Sequence, residues 1–272
     1  CLLYLINILH YFFIRKIYII FNKLMKNLVS IIMPYFKNKE FFLQSIKSVL
    51  DQTYGNIEVL IVYDDHNKED LSYIKNCINK DSRVKIFIND KNKGVAYSRN
   101  KAISYATGEY IAFLDCDDYW ELEKINLQLN FMLLNNHNFS FTAYNIIDRN
   151  EKNIGQIRAK NSLKYKDLLK SCDIGLSTVI LKRNLLKDLN FPELKTKEDF
   201  VLWLSLAKKS VSLNGFDKIL TSWRKTSNSL SSSVIQKLKD AFKVYYIYEN
   251  KSYIASIIYV IRLSVYALIK KI

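Results

Sequence analysis

The sequence predicts an α/β fold in which a mostly parallel central sheet is flanked by helices. Short apolar segments rich in β-branched residues alternate with helix-like segments between residues 28 and 145. Strands separated by helices form βαβ units, and such units build parallel sheets. Acidic residues directly follow two of the apolar segments, at positions 64–65 and 115–118. Ligands bind beyond the carboxyl ends of strands in such sheets, so we expect a site there.

Strands and helices alternate regularly through the first half of the chain. Each predicted strand is a short apolar run bounded by charged or turn-forming residues. Asn38 is a candidate cap for the first helix, in which apolar residues recur at helical spacing. The predicted strands cover residues 28–33, 57–63, 83–88 and 110–114, and the predicted helices cover residues 38–52, 70–78, 94–106 and 121–134.

The second half has a weaker pattern. Residues 139–147 and 178–181 are predicted to be strands, and residues 198–207 and 234–248 are predicted to be helices. A last helix over residues 253–269 is almost entirely apolar and is followed by lysines. This helix is either a docking or core helix or an anchor at a membrane surface, and we favour the anchor.

The N-terminal residues 1–27 form an apolar extension interrupted by Arg15 and Lys16. A spanning helix needs roughly 20 mostly apolar residues, and a signal peptide needs a small-residue cleavage site, so neither fits well. An interfacial helix with a basic face fits better. The chain does not begin with Met, which leaves its true start uncertain. Basic, apolar segments at both ends predict an anionic membrane surface as a partner.

Charge and composition narrow the function classes. The 272 residues carry a formal net charge of +15, which suits nucleic acid, phosphorylated ligands or an anionic membrane. The lysines are scattered and no nucleic-acid-binding motif is present, so a nucleic-acid partner is not expected. Base-composition bias in the gene is an alternative source of the lysines. The cysteines and histidines are isolated, which argues against a zinc site or a disulfide framework; they are Cys1, Cys77, Cys116, Cys172, His10, His66 and His137.

The segment at residues 115–118 carries the strongest chemical signal. Carboxylates at the end of a buried strand are costly unless a positive group meets them. Asp115 and Asp117 are two residues apart and can point to the same side. Their hard oxygen ligands suit Mg²⁺ or Mn²⁺. The alternative is that Asp118 caps the following helix and the other acids are solvated.

Several segments, in this order, resemble motifs of family 2 glycosyltransferases with the GT-A fold, of the type that builds bacterial surface polysaccharides. The resemblance covers residues 28–231 and implies a nucleotide-binding half (28–136) and an acceptor half (137–231), followed by C-terminal helices (232–272). Any one motif is weak, and their order and spacing carry the resemblance. The matching segments are residues 29–36, 45–54, 58–65, 92–100, 108–120 and 197–203.

The resemblance implies a nucleotide-binding set. Pro34 and Phe36 would border the nucleobase, with Phe36 offering a stacking face. Asp65 would accept from the imide N–H of uracil or thymine, or else it only forms a turn. Arg99 would reach the base or the phosphates, with a surface ion pair as the alternative. Asp115 would contact the ribose or a metal-bound water.

The resemblance also implies a catalytic set. Asp117 would ligate Mg²⁺ or Mn²⁺, which bridges the diphosphate. Asp199 would be the general base that deprotonates the acceptor hydroxyl, and Glu198 would orient it or bind the acceptor. The alternative is that both are ordinary acids at a helix start. Arg224 and Trp203 are candidate contacts to phosphate or acceptor, although Trp203 fits the core better.

The implied activity is inverting transfer of one sugar, from a UDP-sugar to a hydroxyl of a glycan or lipid-linked acceptor, at the cytoplasmic side of the bacterial inner membrane. The Gln-x-x-Arg-Trp element of processive synthases is absent, so single-sugar addition is expected. His66-Asn67 replaces the usual Gly-Ser, and Ser205 stands where arginine is frequent. A sugar-phosphate nucleotidyltransferase would need a glycine-rich loop after the first strand, which is missing. An inactive membrane-bound scaffold with the same fold is the other alternative.

Overall fold

A computed structural model describes residues 27–226 and 233–269 of the chain. Except for Asn27, the predicted N-terminal extension lies outside the described residues. Within the described ranges, ten strands form one sheet. The strands are β1 (Val29–Tyr35), β2 (Ile57–Tyr63), β3 (Val84–Ile88), β4 (Tyr110–Phe113), β5 (Tyr119–Trp120), β6 (Phe139–Ile147), β7 (Asn153–Ile157), β8 (Ser162–Leu163), β9 (Ile180–Lys182) and β10 (Leu213–Arg224).

Helices follow most of the predicted segments, with ends that differ by a few residues. A short π-helical segment, Val244–Tyr248, extends the helix predicted from residue 234. The N-cap position of the first helix is Asn38, but its side chain makes no capping hydrogen bond. The α-helices are α1 (Lys39–Leu50), α2 (Leu71–Cys77), α3 (Val95–Tyr105), α4 (Lys124–Leu134), α5 (Tyr165–Leu168), α6 (Glu198–Lys208), α7 (Val234–Lys243) and α8 (Tyr253–Ile269).

The sheet has the strand order β3-β2-β1-β4-β9-β6-β10-β5. Strands β3, β2, β1 and β4 run parallel, as the alternation of strands and helices predicts. Beyond β4 the sheet is mixed, because β9 pairs antiparallel with both β4 and β6, whereas β6 and β10 are parallel. The sheet therefore continues without a break from the first half of the chain into the second.

Strands β1 and β2 are buried on both faces, and this explains their continuous apolar sequences. Glu58 is a buried carboxylate within β2 and accepts hydrogen bonds from Ser30, Lys85 and Thr107. Burial alone would raise the pKa of Glu58, but these bonds lower it to about 2. The ionised carboxylate thus ties β1, β2 and β3 to the turn that starts β4.

The C-terminal helices expose many apolar side chains. On α8, Ile254 is 72% exposed and Ile258 is 59% exposed, while Ser256 and Leu263 are buried against the domain. On α7, Val234 is 65% exposed. Among the described helices, none is both long enough and apolar enough to cross a bilayer.

Candidate active site

A cavity of about 750 Å³ opens at the carboxyl ends of β1 and β4. Its walls come from the end of β1, the loop at residues 115–118, the start of α3, the loop before α6, and the end of β10. Asp117 and Asp199 line this one cavity. The acids that the sequence placed beyond separate strands therefore meet around a common space.

Arg99 on α3 lies at the base of the cavity, with only 3% of its surface exposed. Its guanidinium donates to Asp115 Oδ1 at 2.6 Å and to Glu198 Oε1. Burial opposes the charge, but the carboxylates of Asp115, Glu198 and Asp199 raise the pKa of Arg99. The alternative of a surface ion pair for Arg99 is wrong, because this pairing is buried. Arg99 joins the acidic loop after β4 to the first turn of α6.

Glu198 and Asp199 begin α6, and both are perturbed acids. Burial raises the pKa of Glu198 to about 7, with Arg99 opposing the shift and Asp199 adding to it. Burial also raises the pKa of Asp199, while Lys197 and Arg99 oppose that shift. A carboxylate with a raised pKa is a stronger base at neutral pH than an ordinary one. The first turn of α6 can therefore accept a proton from a group in the cavity.

Asp118 holds the acidic loop in place. Its carboxylate accepts from Ser177 Oγ at 2.5 Å and from the amide of Arg224 at 2.9 Å. The following helix begins at Lys124, so the alternative that Asp118 caps this helix is wrong. Asp118 and Ser177 are structural parts of the site for which the sequence indicated no such role.

Asp117 is the candidate metal ligand. No other described residue donates a hydrogen bond to its carboxylate, and burial, with the charge of Asp115, raises its pKa to about 6. Within residues 27–226 and 233–269, no group of at least three His, Cys, Asp or Glu side chains could hold a metal by itself. Carboxylate oxygens of Asp115 and Asp117 nonetheless fit Mg²⁺ or Mn²⁺, which commonly take only one or two protein carboxylates together with substrate phosphates and water.

The end of the cavity beside β1 contains the apolar residues that were predicted to border a nucleobase. Pro34 and Phe36 line it, and Phe36 is 48% exposed. Asp65 is buried just behind the lining; its Oδ1 accepts from the amide of Asn67 at 3.3 Å, whereas its Oδ2 has no partner among the described residues. Asp65 therefore forms a turn, and its Oδ2 is a buried acceptor without a partner among the described residues.

Asp64, and not Asp65, lines the cavity wall. Its carboxylate accepts from the amides of Lys93 and Gly94, both at 2.8 Å, and from Asn89. Gly94 has a φ of 86°, a conformation that glycine adopts at little cost. Asp64 thus fixes the start of α3 and, with it, the position of Arg99.

Arg224 and Trp203 were candidate contacts to phosphate or acceptor, and the structure gives both a different role. Arg224 lines the cavity, but all three guanidinium nitrogens already donate to protein acceptors, including Asp117 O at 3.0 Å and Gln44 Oε1 at 2.5 Å. It therefore holds the acidic loop and does not offer a ready phosphate contact. Trp203 is fully buried, packs edge-on against Phe139, and does not line the cavity. Its position supports a core role and not the acceptor contact.

Comparison with known proteins agrees with this fold. The description "Glycosyl transferase family 2" matches residues 30–188. The chain is 41% identical over 218 residues (80% of this chain, 85% of the relative) to UDP-Glc:alpha-D-GlcNAc-diphosphoundecaprenol beta-1,3-glucosyltransferase WfgD of Escherichia coli. It is 35% identical over 226 residues (83% of this chain, 88% of the relative) to the putative teichuronic acid biosynthesis glycosyltransferase TuaG of Bacillus subtilis.

A solved structure supports the same fold. The mannosyltransferase PcManGT from Pyrobaculum calidifontis, in complex with GDP-Man and Mn²⁺, superposes with a TM-score of 0.65 at 13% identity and covers 85% of this chain and 69% of its own. The open α/β sheet with an acidic cavity at its carboxyl edge, together with the family match and the structural likeness, assigns the GT-A glycosyltransferase fold. The chain belongs to glycosyltransferase family 2 and is a glycosyltransferase related to enzymes of bacterial surface polysaccharide synthesis.

Proposed function

We propose that this enzyme transfers one sugar from a UDP-sugar to a hydroxyl of a lipid-linked glycan acceptor and inverts the anomeric centre. The observation that carries the proposal is the buried bridge from Asp115 through Arg99 to Glu198. It holds the acidic loop beside the first turn of α6, so a donor and a base can act in one cavity. Residues 28–136 would hold the nucleotide, and residues 137–231 would hold the acceptor.

Asp199 takes the role of general base in this proposal. It lines the cavity, and its raised pKa makes it a better proton acceptor than a solvated aspartate. Removing the hydroxyl proton lets the acceptor oxygen attack the anomeric carbon as the bond to the diphosphate breaks. Glu198 and Arg99 keep Asp199 in position. Direct attack by one acceptor with no covalent intermediate gives inversion.

The donor would lie at the nucleotide end of the cavity. The exposed ring of Phe36 offers a stacking face, and the unpartnered Oδ2 of Asp65 can accept from an imide N–H. Uracil carries such a group, and the E. coli relative is described as using UDP-Glc. Asp115 and Asp117 would hold Mg²⁺ or Mn²⁺, which neutralises the charge of the leaving diphosphate when bound.

The C-terminal helices would place the enzyme on the cytoplasmic side of the bacterial inner membrane. The exposed isoleucines of α8 form an apolar surface much larger than isolated surface residues create. The net charge of +15 favours an anionic bilayer. The E. coli relative is described with an undecaprenol-linked acceptor, and such lipids reside in membranes.

A donor screen tests the proposal. Thermal stability is measured with UDP-sugars and GDP-mannose, with and without Mn²⁺, because a bound ligand stabilises the folded state. The selected donor is then incubated with a GlcNAc-diphosphate lipid, and the linkage of the product is determined by NMR. We expect one UDP-sugar to give a Mn²⁺-dependent shift and a product of inverted configuration. Conversion of the UDP-sugar to UTP and a sugar 1-phosphate when pyrophosphate is added would instead identify a nucleotidyltransferase, and donor binding without turnover would identify an inactive scaffold.

A further inference from the structure

Lysine side chains surround one side of the cavity mouth. Lys195 and Lys197 precede α6, and Lys225 follows β10; all of them line the cavity. Lysines elsewhere, such as Lys85 and Lys208, pair with carboxylates. Within residues 27–226 and 233–269, no such ion pair involves the mouth lysines, which we call the rim lysines. Their charges are therefore available to an anion.

Buried hydrogen bonds fix the backbone that carries the rim lysines. Thr196, between the first two, donates from its amide and from Oγ1 to Asp240 Oδ2, both at 3.0 Å. Asp240 lies on α7 and is only 1% exposed. The amide of Lys225 donates to Ile147 O at 2.8 Å. The rim is thus a built part of the site and not a set of loosely placed surface residues.

The interior of the cavity would repel a second polyanion. Asp64, Asp115, Asp117 and Asp199 all line it, and Arg99 is already paired with carboxylates. Two further arginines of the lining are engaged as well, because Arg149 pairs with Glu40 and Arg224 donates to protein acceptors, so a donor diphosphate at the acidic loop leaves little free positive charge beside it for a second diphosphate. An acceptor that carries its own diphosphate must therefore keep it at the mouth. Lys197 lies two residues before Asp199, so an anion there leaves its attached sugar beside the base.

An apolar surface lies on α7, the helix that anchors the loop carrying two of the rim lysines. On α7, Val234, Ile235 and Leu238 are 65%, 68% and 42% exposed. At about 3.6 residues per turn they lie opposite Asp240, the residue that anchors Thr196. The helix therefore contacts the rim loop on one side and presents apolar side chains on the other. A molecule with an anionic head and an apolar tail matches this order of surfaces.

We propose that Lys195, Lys197 and Lys225 bind the diphosphate of a lipid-diphosphate-linked sugar acceptor, and that the exposed face of α7 receives the first part of its lipid chain. This inference rests on the proposed transfer to a lipid-linked acceptor and adds the position of the acceptor's phosphates. In this arrangement the two anionic substrates bind at separate places: the donor diphosphate lies at the acidic loop, and the acceptor diphosphate lies at the rim lysines.

The test compares two acceptors that share one sugar. One is GlcNAc α-linked to an undecyl diphosphate, and the other is undecyl α-GlcNAc, which has no phosphate. The variant Lys195→Gln/Lys225→Gln, which keeps Lys197 beside Asp199, should raise the KM for the diphosphate acceptor about tenfold or more, because charge-assisted phosphate contacts are lost. The KM for the UDP-sugar and the efficiency with the neutral acceptor should stay within about twofold of wild type. The matched control replaces Lys75 and Lys80, which are exposed and do not line the cavity.

A binding measurement gives a readout independent of turnover. With UDP present to fill the donor site, undecyl diphosphate should bind the rim-lysine variant about tenfold more weakly than wild type. Binding to phosphatidylglycerol vesicles should change little, because the apolar surface is intact.

Each contrary result has a distinct meaning. Equal losses with both acceptors, or a raised KM for the UDP-sugar, would overturn the assignment while leaving the proposed function standing. The assignment would also be overturned if the variant lost vesicle binding but discriminated between the two acceptors as wild type does. In that case the rim lysines would bind lipid headgroups. If the wild-type enzyme used neither acceptor with any donor, the proposed function would be wrong and this inference would fail with it.

Discussion

Arg99 and Glu198 form a buried ion pair across 99 residues of sequence. The same guanidinium also binds Asp115, so one cation serves carboxylates from both halves of the chain. Glu198 could not be buried at this depth without a large cost if it had no cationic partner, whereas Asp115 is only half-buried. The cavity therefore depends on the ion pairs that join α3 to the acidic loop and to the first turn of α6.

Replacing Arg99 with methionine should destabilise the protein strongly. The change leaves Asp115 and Glu198 buried or half-buried without their cation, and loss of one partner of a buried pair typically costs about 3–5 kcal/mol. The free energy of unfolding is measured by urea denaturation. Arg158→Met is the matched control, because Arg158 pairs with Asp217 on the exposed surface and should contribute only about 0–1 kcal/mol. Equal effects of the two changes would contradict the buried bridge.

Asp199→Asn should remove the general base and leave the donor-binding site intact. We expect turnover to fall about 10²- to 10⁴-fold, which is the usual contribution of a general base. Affinity for the UDP-sugar, measured by calorimetry, should remain within a few fold of wild type. Asp188→Asn is the control, since Asp188 is exposed and does not line the cavity. Unchanged turnover in Asp199→Asn would remove the base assignment.

Strands β1, β2 and β4 were predictable because both of their faces are buried. Strand β2 has the predicted bounds, residues 57–63, since its run of apolar residues is unbroken. Strand β10 was missed, although it spans twelve residues. Its register shifts between Phe216 and Ile219, and again between Ile219 and Thr221. Such bulges interrupt the alternation of inward and outward side chains. The apolar and polar residues of β10 therefore do not show the two-residue period from which a strand is predicted.

The candidate site was predictable where chemistry and spacing recur in motifs, and not where it depends on distant contacts. Arg99, Asp117 and Asp199 lie around the cavity and were all predicted as site residues. The bond from Ser177 to Asp118 was not predicted, because it joins residues 59 positions apart through a single turn of 3₁₀-helix. The buried position of Arg224 likewise depends on contacts with remote loops. Only the folded chain brings these groups together.

Stability should depend on pH through Glu198. Burial raises its pKa in the folded state to about 7, against 4.5 ordinarily, so the folded state binds the proton more tightly than the unfolded state. Its stabilising contribution is therefore complete below pH 4.5 and is lost as the pH rises through about 7, with a slope of up to about 1.4 kcal/mol per pH unit. Urea denaturation between pH 5 and 8 should show this slope in wild type and a shallower slope in Glu198→Gln. Parallel profiles would show that Glu198 is already ionised at pH 5.

Gly215 should tolerate no side chain. A Cβ atom there would lie 1.9 Å from the carbonyl oxygen of Lys160, which is backbone and cannot swing away. We expect Gly215→Ala to lower the free energy of unfolding by about 1–3 kcal/mol or more, as overpacking does. Gly55→Ala is the control, because a Cβ atom there meets no atom within 4 Å. Chemical denaturation of both variants measures the difference, and a neutral Gly215→Ala would show that β8 and β10 can separate freely.

Membrane binding should depend on the exposed isoleucines of α8. Ile254 and Ile258 lie four residues apart, so they share one face of the helix, and both are more than half exposed. Changing both to asparagine should weaken binding to phosphatidylglycerol vesicles about tenfold or more, because each buried isoleucine contributes roughly 1.5–3 kcal/mol. Ile154→Asn on β7 is the control, since Ile154 is 48% exposed and lies outside the C-terminal helices. Vesicle sedimentation measures the affinity, and donor hydrolysis in solution should be unaffected. Equal binding by both variants would mean that α8 faces something other than lipid.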